Sequence, residues 1–570
     1  MKRILGISGL YHDAAAALVE NGRLMAAVQE ERLSRVKHDP GFPRRAIRAV
    51  LELSPGPVEA VVFYDQPVSK FGRLLDTWAA LAPAGLPSFL AAVPEWMRSK
   101  LWVPHQVEST LAGLALPATV PCWFPEHHES HAASAYYPSP FDEAAILTVD
   151  GVGEWATTAI GHGRGADLHL VAEIPYPHSL GLLYSAFTAY CGFAVNDGEY
   201  KLMGLAATGA PRYAGLIREH LIDLREDGSF RLNLAFFNYL GGLTMTNDRF
   251  HALFGAPPRR EHEPLDGRHA DLARSVQAVL EDALLRQARE AHRLTGSSNL
   301  CLAGGVALNC VANARIVRES PFREVWIQPA AGDAGGAAGA AWFGWHRILG
   351  NPRAGREPGD GMGGALLGPA WSDEAIGVWL TSRGIRATHL EGDARHGAVA
   401  DLLAAGRVIG LLRGRMEFGP RALGNRSILA DPRPADMQAR VNTRIKFREE
   451  FRPFAPAVLA GRVGAFFDLD RPSPYMLLTA PVLPGTGLPA VTHADGSARV
   501  QTVDPGTHPE FHALLSAFAD RTGCPVLLNT SFNLRGEPIV CSPADAYDCF
   551  MRSGLDALVL ESWLVEREAR

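Results

Sequence analysis

The sequence predicts a mixed α/β protein of two domains, the first of which contains an internal duplication. Three observations lead to this prediction. The chain has 570 residues, too many for one hydrophobic core. Two segments about 140 residues apart repeat one order of apolar runs and glycine turns. A stretch rich in glycine and proline, 350–371, then precedes a second series of helix-like and strand-like segments.

The duplicated part begins at the N-terminus. The segment KRILGISGLYHDAAAALVENGRLMAAVQEER, 2–32, contains three apolar runs joined by glycine turns, and AAILTVDGVGEWATTAIGHGRGADLHLVAEI, 144–174, has the same order. Strands joined by tight glycine turns are typical of antiparallel hairpins. We therefore expect two similar three-stranded meanders within one α/β domain that spans 1–355.

A helix, a strand and a second helix are predicted towards the end of this domain. The segment 269–296 has apolar residues at helical spacing and a glycine stop. It precedes the strand-like NLCLAGGVALN, 299–309, whose Gly304-Gly305 pair opens a helix-like segment at 310–320. A strand, two glycines and a helix N-terminus can seat a nucleotide or phosphate, and a simple tight turn is the alternative.

The second domain is expected at 372–570, after a linker at 356–371. Its helix candidate is SDEAIGVWLTSRG, 372–384, and its strand candidates are VIGLLRG, 408–414, and PVLLNTSF, 525–532. The segment ALVLESWLVERE, 557–568, is expected to be a closing strand.

Composition excludes several classes of protein. A net charge of −6 gives no reason to expect nucleic acid as a partner. The apolar stretch 75–102 is cut by Pro83, Pro87 and Pro94, which argues against a membrane span. The N-terminus is a poor signal peptide, because His12 and Asp13 interrupt its apolar part. The seven scattered cysteines suit reduced thiols, so the sequence predicts a cytoplasmic protein.

A candidate metal site begins in PEHHESHAASAYYPSPF, 125–141. His127 and His131 are four residues apart and share one face of a helix, whereas an HExxH site starting at His128 would need histidine at 132. Asp150 and Asp333 both follow apolar runs beside glycines and can complete the group. Two histidines and two aspartates suit iron, manganese or zinc. Without the aspartates, a polar patch at a helix N-terminus explains the histidines equally well.

The second domain contains a basic stretch between Arg413 and Arg452. Acidic residues are interspersed, so a solvated surface with salt bridges is one interpretation. The alternative is phosphate binding, because GPRALGNRS and RIKFREEFRPF combine guanidinium groups with glycine and proline turns. The basic residues are Arg413, Arg415, Arg421, Arg426, Arg433, Arg440, Arg444, Lys446, Arg448 and Arg452.

Seven motifs in order along the chain resemble the O-carbamoyltransferases of the NodU/CmcH type, a family that includes the tobramycin carbamoyltransferase. They are HHESHAASAYYPSPF, LTVDGVGEW, GEYKLMGLAATG, LAGGVALNC, PAAGDAGGAAGAA, MEFGPRALGNRSILADPR and FREEFRPFAPAVL. The resemblance implies an N-terminal domain of the actin/Hsp70/sugar-kinase fold (Kae1-like) and a C-terminal YrdC-like α/β domain. The duplicated meander agrees independently with an actin-like fold.

The resemblance also implies site residues. In the family a metal, usually assigned as iron, is held by the residues that correspond to His127, His131, Asp150 and Asp333. His12 matches a histidine near the acceptor hydroxyl and is expected to be the general base, with a turn residue that caps the hairpin as the alternative. Lys446-Phe447-Arg448 and Ser531-Phe532-Asn533 match the K-x-R and S-x-N elements of YrdC-like domains. The residues expected to bind nucleotide and donor are Gly304, Gly305, Asn309, Arg421, Lys446, Arg448, Arg452, Asn529, Ser531 and Asn533.

The implied activity is ATP-dependent carbamoyl transfer. ATP and carbamoyl phosphate would form carbamoyl adenylate in the second domain, and the first domain would transfer the carbamoyl group to a hydroxyl of a small molecule. The expected metal is Fe(II), with Mg(II) possible beside ATP, and the resemblance favours a homodimer. The segment 66–115, with Trp78, Trp96 and Trp102, is a candidate wall for the acceptor, with ordinary helical packing as the alternative.

Two other functions remain open from the sequence. One is a tRNA threonylcarbamoylation enzyme, because both implied folds occur there; the negative net charge argues against it. The other is a non-catalytic, nucleotide-dependent binding module of the actin fold. Such a module needs neither the two-histidine, two-aspartate group nor the K-x-R and S-x-N pair.

Overall fold

The computed structural model describes residues 2–114, 120–353, 359–392 and 394–567, which fall into two compact units. The N-terminal unit comprises Met1–Glu30 and His38–Gly361, and the C-terminal unit comprises Glu31–Lys37 and Met362–Arg570. The division after Gly361 lies within the segment where we expect the linker, 356–371. The expected boundary at 355/356 lies outside the described residues.

Two five-stranded sheets with the same topology form the centre of the N-terminal unit, so the predicted duplication is confirmed. In each sheet three strands form an antiparallel meander. The first strand of the meander pairs in parallel with a fourth strand, which pairs in parallel with a fifth. The first sheet has the order β3-β2-β1-β4-β5 and consists of β1 (Arg3–Ser8), β2 (Ala15–Glu20), β3 (Arg23–Gln29), β4 (Ala60–Phe63) and β5 (Cys122–Trp123). The second has the order β8-β7-β6-β11-β12 and consists of β6 (Glu143–Val149), β7 (Ala156–Arg164), β8 (Asp167–Pro175), β11 (Asn299–Ala303) and β12 (Glu324–Ile327).

Local sequence explains the meanders. The central strands β1, β2 and β6 are almost wholly apolar and buried, as expected for strands covered on both faces. The turn between β2 and β3 is Asn21-Gly22, and both residues have positive φ (49° and 84°), a conformation that asparagine and glycine adopt most readily. The hairpin from β7 to β8 likewise turns at Gly165, with φ 58°.

The helices of the N-terminal unit surround these sheets, and a small second ribbon pairs β9 (Ile222–Leu224) with β10 (Phe230–Leu232). The long helix predicted at 269–296 is present, starts after Asp266 and ends at Gly296. The helix α1 (Glu30–Ser34) lies almost wholly in Glu31–Lys37, which belongs to the C-terminal unit. The helices of the N-terminal unit are α2 (Arg44–Leu53), α3 (Pro67–Leu81), α4 (Leu86–Arg98), α5 (Val103–Gly113), α6 (His127–Tyr136), α7 (Leu180–Tyr190), α8 (Glu199–Ala206), α9 (Ala214–His220), α10 (Asp248–Phe254), α11 (Gly267–Thr295), α12 (Cys310–Glu319) and α13 (Asp333–Phe343).

Close backbone packing brings α6 and α13 together. A Cβ atom at Gly339 of α13 would overlap the backbone oxygen of Ser130 in α6. A Cβ atom at Gly6 of β1 would in turn overlap the backbone oxygen of Ala337. Helices approach this closely only where small residues meet, which explains the run GDAGGAAGAA. The two helices start on the same side, at His127 and Asp333.

An eight-stranded sheet forms the centre of the C-terminal unit, in the order β13-β22-β21-β14-β15-β20-β16-β19. A two-stranded ribbon of β17 and β18 accompanies it. The strands are β13 (Thr388–His389), β14 (Ile409–Leu412), β15 (Arg426–Ala430), β16 (Ala455–Leu459), β17 (Thr479–Pro481), β18 (Ser497–Arg499), β19 (Gln501–Val503), β20 (Val526–Ser531), β21 (Ala557–Leu560) and β22 (Trp563–Glu566). The helices are α14 (Asp373–Ser382), α15 (Ala394–Ala404), α16 (Met437–Arg440), α17 (Pro509–Thr522) and α18 (Pro543–Arg552).

The prediction of one closing strand at 557–568 is wrong. The segment forms two antiparallel strands, β21 and β22, that turn at Glu561-Ser562. Glu561 adopts a positive φ of 49°, so a residue without turn propensity occupies the left-handed position. Because glutamate gives no turn signal, the sequence looks like one continuous strand.

A short N-terminal segment, Glu31–Lys37, belongs to the C-terminal unit. The guanidinium group of Arg32 donates to the carbonyl oxygen of Gly419 at 2.8 Å. Arg35 donates to the carbonyl oxygens of Pro538 at 3.0 Å and Ile539 at 2.6 Å. These partners lie more than 380 residues away in sequence, so no local pattern predicts that Glu31–Lys37 belongs to the C-terminal unit. In the described part of the chain, no helix is both long enough and apolar enough to cross a membrane.

The packing of α6 on α13 leads to a stability prediction. We expect Gly339→Ala to lower the free energy of unfolding by about 1–3 kcal/mol, because the added methyl group must push α13 away from Ser130. The matched control is Gly72→Ala within α3, where a Cβ atom has nothing within 4 Å. There the higher helix propensity of alanine should raise stability by about 0.5–1 kcal/mol. Urea unfolding followed by fluorescence measures both, and equal effects would contradict the packing argument.

Candidate metal centre and transfer site

Four residues predicted from the sequence meet in the N-terminal unit. His127 and His131 lie on one face of α6, Asp150 follows the end of β6, and Asp333 is the first residue of α13. Asp150 Oδ2 lies 2.8 Å from His127 Nε2 and 3.3 Å from His131 Nε2. Asp333 Oδ1 lies 3.8 and 3.7 Å from the same two nitrogens. One ligand atom from each residue therefore lies within 4.8 Å of the others.

The chemistry of this four-residue group fits a divalent cation. The Nε2 atoms of the two histidines lie only 3.1 Å apart, and both are directed at the same carboxylate oxygen. Both imidazoles are almost fully buried, and their Nδ1 atoms have no hydrogen-bond partner among the described residues. Two imidazole nitrogens and two carboxylate oxygens that converge on one point are a donor set for iron, manganese or zinc.

The charges in the group are strongly coupled. Burial raises the pKa of Asp150, but hydrogen bonds from His127 and His131 outweigh it and hold the pKa well below its ordinary value. Burial lowers the pKa of His131, but the hydrogen bonds to Asp150 and Asp333 prevail and raise it to about 9. The carboxylates therefore attract positive charge to this point, which either protons or a cation can supply.

His128 is directed elsewhere. Its Nδ1 atom lies 2.7 Å from the hydroxyl oxygen of Thr148 on β6. Burial, together with the charges of His127 and His131, lowers the pKa of His128 to about 3, so the imidazole is neutral. This contact supports a structural role for His128, which stays a prediction.

His12 lies beside the four-residue group. Its Nε2 atom is 3.8 Å from Asp333 Oδ2, and its Nδ1 atom is 3.2 Å from Asp13 Oδ2. Asp13 Oδ1 is in turn 2.7 Å from Nδ1 of His38, whose Nε2 atom is 3.1 Å from Asp197 Oδ1. Burial lowers the pKa of His12, but the charges of Asp333 and Asp13 prevail and raise it to about 9. Sequence reasoning missed Asp13, His38 and Asp197, although the adjacency of His12 and Asp13 was a usable signal.

The Gly304-Gly305 turn supports Asp150. The backbone N–H of Gly305 donates to Asp150 Oδ1 at 3.0 Å, and Gly304 has a φ of 88° and no room for a Cβ beside the backbone of Val149. Asn309 caps α12 by accepting from the N–H of Ala312 at 3.0 Å, and it exchanges two hydrogen bonds with Gln277. These three residues thus have structural contacts of their own, and nucleotide binding by them stays a prediction.

In the C-terminal unit, the K-x-R and S-x-N elements meet. The buried ammonium group of Lys446 lies 2.6 Å from Ser531 O, 3.0 Å from Asn533 O and 2.6 Å from Asn533 Oδ1. Ser531 Oγ donates to Asn533 Oδ1 at 2.8 Å. Arg448 donates from Nε to Asn442 Oδ1 at 2.7 Å. Burial and the nearby charges of Arg448 and Arg452 hold the pKa of Lys446 well below its ordinary value.

Asn529 is buried in the same unit. Its Nδ2 atom donates to Ala422 O at 3.2 Å and to Gln501 Oε1 at 2.8 Å, while its Oδ1 atom has no partner in the described part of the chain. Arg421 lies half-buried in the loop before β15, next to Ala422. Arg452 lies 3.8 Å from Glu449.

Glu417, which organises the loop before β15, was not among the residues predicted from the sequence. Its Oε1 atom accepts from the backbone N–H groups of Leu423, Asn425 and Arg426 at 2.7, 2.9 and 3.1 Å. The same loop is held by Arg426. Its fully buried guanidinium group donates to loop carbonyls, among them that of Arg413 at 2.6 Å.

Several members of the basic stretch have structural contacts. Arg413 pairs with Glu510, Arg433 pairs with Asp431 at 2.6 Å, and Arg440 pairs with Asp556 at 2.7 Å. The salt-bridge interpretation therefore applies to these arginines.

The four-residue group leads to a metal-binding prediction. We expect the full chain to bind Mn(II) and His131→Ala to weaken that binding by roughly tenfold to hundredfold or more. Losses of this size are typical even when the residue removed only supports a metal ligand. The matched control, His162→Ala, removes a half-buried histidine of β7 that pairs with Glu143 at 2.9 Å. Free Mn(II) counted by electron paramagnetic resonance gives both affinities. Wild-type affinity in His131→Ala would contradict a metal role.

Comparison with known proteins identifies the family. The family model described as Carbamoyltransferase N-terminus matches residues 3–342, and the one described as Carbamoyltransferase C-terminus matches residues 400–567. The solved structure of HypF from T. kodakarensis covers 61% of the chain with 16% identity and a TM-score of 0.33, too low to support an argument about fold.

Relatives match the chain over nearly its whole length. The protein sll1178 of Synechocystis sp. is 52% identical, over 100% of this chain and 97% of that protein. Nodulation protein U of Rhizobium fredii is 32% identical, over 96% and 92%. The 3'-hydroxymethylcephem-O-carbamoyltransferase of Amycolatopsis lactamdurans is 30% identical, over 98% of both chains. With both family models and these relatives matched, the chain belongs to the NodU/CmcH-type carbamoyltransferase family and is a carbamoyltransferase.

Proposed function

We propose that this carbamoyltransferase uses ATP to activate the carbamoyl group of carbamoyl phosphate as carbamoyl adenylate and transfers it to a hydroxyl group of a small molecule. One observation carries the proposal: His12, a candidate base, lies 3.8 Å from Asp333 of the four-residue group. The similarity to the 3'-hydroxymethylcephem-O-carbamoyltransferase of Amycolatopsis lactamdurans supports a hydroxyl as acceptor.

We assign activation to the C-terminal unit. A water hydrolyses carbamoyl phosphate to carbamate and phosphate, and a carbamate oxygen then attacks the α-phosphorus of ATP, so that pyrophosphate leaves and carbamoyl adenylate forms. Lys446, Arg448 and Arg421 supply positive charge for the phosphate groups. Ser531 and Asn533 hold the Lys446 ammonium group by the contacts described above.

We assign transfer to the N-terminal unit. The acceptor oxygen attacks the carbamoyl carbon and AMP leaves, while His12 takes the hydroxyl proton at its Nε2 atom. A divalent cation held by His127, His131, Asp150 and Asp333 would supply a Lewis acid for phosphate or carbonyl oxygens. The negative charge of Asp333 raises the pKa of His12. A cation beside Asp333 would offset that charge and lower the pKa of His12, so that the imidazole could accept a proton. Asp13 Oδ2, 3.2 Å from Nδ1 of His12, orients the imidazole ring.

The finer fold assignments belong to this proposal. The repeated sheet order of the N-terminal unit supports an actin/Hsp70/sugar-kinase-like (Kae1-like) fold, and the meeting of Lys446 with Ser531 and Asn533 supports a YrdC-like C-terminal unit. Fe(II) in the metal centre, Mg(II) beside ATP and a homodimer remain predictions.

The experiment that tests the proposal needs no known acceptor for its first half. The full chain should catalyse ATP–pyrophosphate exchange only when carbamoyl phosphate is present. Incubation with ATP, carbamoyl phosphate and hydroxylated acceptors should then give products heavier by one carbamoyl group. Exchange that depends on threonine and bicarbonate would favour threonylcarbamoylation, and nucleotide binding without exchange would favour a binding module.

We expect Lys446→Ala to abolish carbamoyl-phosphate-dependent exchange, because the variant lacks the buried ammonium group among the S-x-N atoms. Transfer from supplied carbamoyl adenylate should remain. Arg462→Ala, at an exposed position of the same unit, is the control and should retain both steps. If Lys446→Ala lost both steps while still folded, the division of labour between the units would be wrong.

We expect His12→Ala to leave exchange intact and to slow transfer from supplied carbamoyl adenylate by roughly 10²–10⁴-fold, the contribution typical of a general base. Added imidazole should restore part of the transfer rate. Mn(II) affinity, measured in parallel, should stay close to wild type. Loss of metal together with transfer would show that His12 supports the centre rather than acting as the base.

A further inference from the structure

A cavity of about 330 Å³ lies in the N-terminal unit beside His12. Gly9, Leu10 and Tyr11, from the turn between β1 and β2, form one wall. The ring of Tyr11 is 4.6 Å from that of His12, centroid to centroid. Asp65, at another wall, follows Tyr64, whose hydroxyl lies 3.4 Å from Asp333 Oδ2. The cavity therefore reaches the residues to which we assign transfer.

The helices α3 and α4 supply much of the lining, which bears on the acceptor wall expected at 66–115. Of its three tryptophans, Trp96 lines the cavity. Trp78 instead stacks on Phe89 with ring centroids 4.4 Å apart, and Trp102 is 55% exposed. Ordinary packing thus explains Trp78, while Trp96 is available to a ligand.

The charge of the lining is distinctive. Three cations, Lys70, Arg73 and Lys100, and one carboxylate, Asp65, line the cavity, an excess of two positive charges. Lys70 and Asp65 neutralise each other through an ion pair of 2.5 Å. The excess positive charge therefore resides on Arg73 and Lys100.

Neither Arg73 nor Lys100 has a carboxylate within ion-pair distance in the described part of the chain. The guanidinium group of Arg73 lies 4.7 Å from the ring centroid of Tyr176, and its Nε atom is buried without a hydrogen-bond partner. The ammonium group of Lys100 lies 5.5 Å from the ring centroid of Trp96. Burial lowers the pKa of both groups. Two partly buried cations that lie near aromatic rings and form no ion pair in the described part of the chain retain capacity to bind an anion.

The rest of the lining is largely apolar. Phe63, Leu74, Leu182 and Leu240 contribute hydrocarbon surface, and Tyr239 adds a further aromatic ring. Such a surface favours a ligand with a ring or hydrocarbon body over a fully hydroxylated one.

We propose that this cavity binds the carbamoyl acceptor and selects a hydroxyl compound that has an apolar or ring-shaped body and a carboxylate. Arg73 and Lys100 bind the carboxylate, Trp96 and the leucines contact the body, and the hydroxyl end lies at Tyr11 beside His12. This inference rests on the proposed function, because it assigns the substrate class of the same reaction. The excess positive charge disfavours polycationic acceptors.

Binding of three matched probes to the full chain, without ATP or carbamoyl phosphate, tests the inference. The probes are para-hydroxymethylbenzoate, its amide and para-hydroxymethylbenzylamine, which share a ring and a hydroxyl group and differ in charge. Calorimetry should give the order benzoate, amide, amine, from tightest to weakest. Arg73→Gln and Lys100→Met should each weaken benzoate binding by roughly tenfold or more, the value of a charged hydrogen bond, and leave the amide unchanged.

Two controls separate the possible causes. Arg98→Gln changes an exposed cation at the end of α4 and should bind all three probes like wild type, whereas Trp96→Ala should weaken all three. Unchanged amide binding in Arg73→Gln shows that the variant is folded. Tightest binding of the amine, or equal loss of benzoate and amide in Arg73→Gln, would overturn the inference.

A competition experiment with AMP tests whether Arg73 and Lys100 bind a nucleotide phosphate instead of a carboxylate. If AMP displaced para-hydroxymethylbenzoate and Arg73→Gln weakened AMP binding equally, the cations would serve the nucleotide and the inference would fall. Because binding is measured without chemistry, its outcome is independent of the exchange and transfer assays. Charge-selective binding without transfer would refute the proposed function alone, and transfer that prefers the amine would refute the acceptor class alone.

Discussion

The backbone contact between α6 and α13 determines where three members of the four-residue group lie. Gly339 allows the backbone of α13 to reach that of Ser130, and Gly336 leaves no room for a Cβ beside the ring of Tyr64. Because both helices also start on the same side, two histidines from one helix and Asp333 from the other meet at their first turns. A larger residue in this interface would move the two histidines away from Asp333.

Asp150 depends on a second backbone constraint. It follows β6, and the N–H of Gly305, after the neighbouring strand β11, fixes its Oδ1 atom at 3.0 Å. The other oxygen, Oδ2, is thereby directed at His127 and His131. In the sequence, the Gly304-Gly305 pair suggested a phosphate-binding turn. In the structure, the backbone N–H of Gly305 instead binds the negatively charged carboxylate of Asp150.

Local patterns account for what the sequence predicted. Helical spacing puts His127 and His131 on one face, and turn residues such as Asn21-Gly22 define the meanders. Contacts between distant segments account for what it missed. Arg32 reaches Gly419 across 387 residues. Glu417 stands within one of the seven family motifs, but the motif does not indicate that its carboxylate binds three backbone N–H groups of the following loop. The turn at Glu561 was missed because the backbone there is left-handed at a residue type that does not indicate a turn.

The environment of each cation, rather than its position in a basic stretch, separates structural from ligand-binding roles. Arg426 is fully buried, and its two terminal guanidinium nitrogens donate to loop carbonyls, those of Arg413 and Pro369, so it stabilises the loop. The guanidinium group of Arg73 lies 4.7 Å from the ring centroid of Tyr176 and forms no ion pair with a carboxylate in the described part of the chain. A partly desolvated cation without an anion lowers the stability of the folded chain, and a bound carboxylate removes that cost. A cation in this state beside the transfer residues is therefore better explained by an anionic ligand than by the fold.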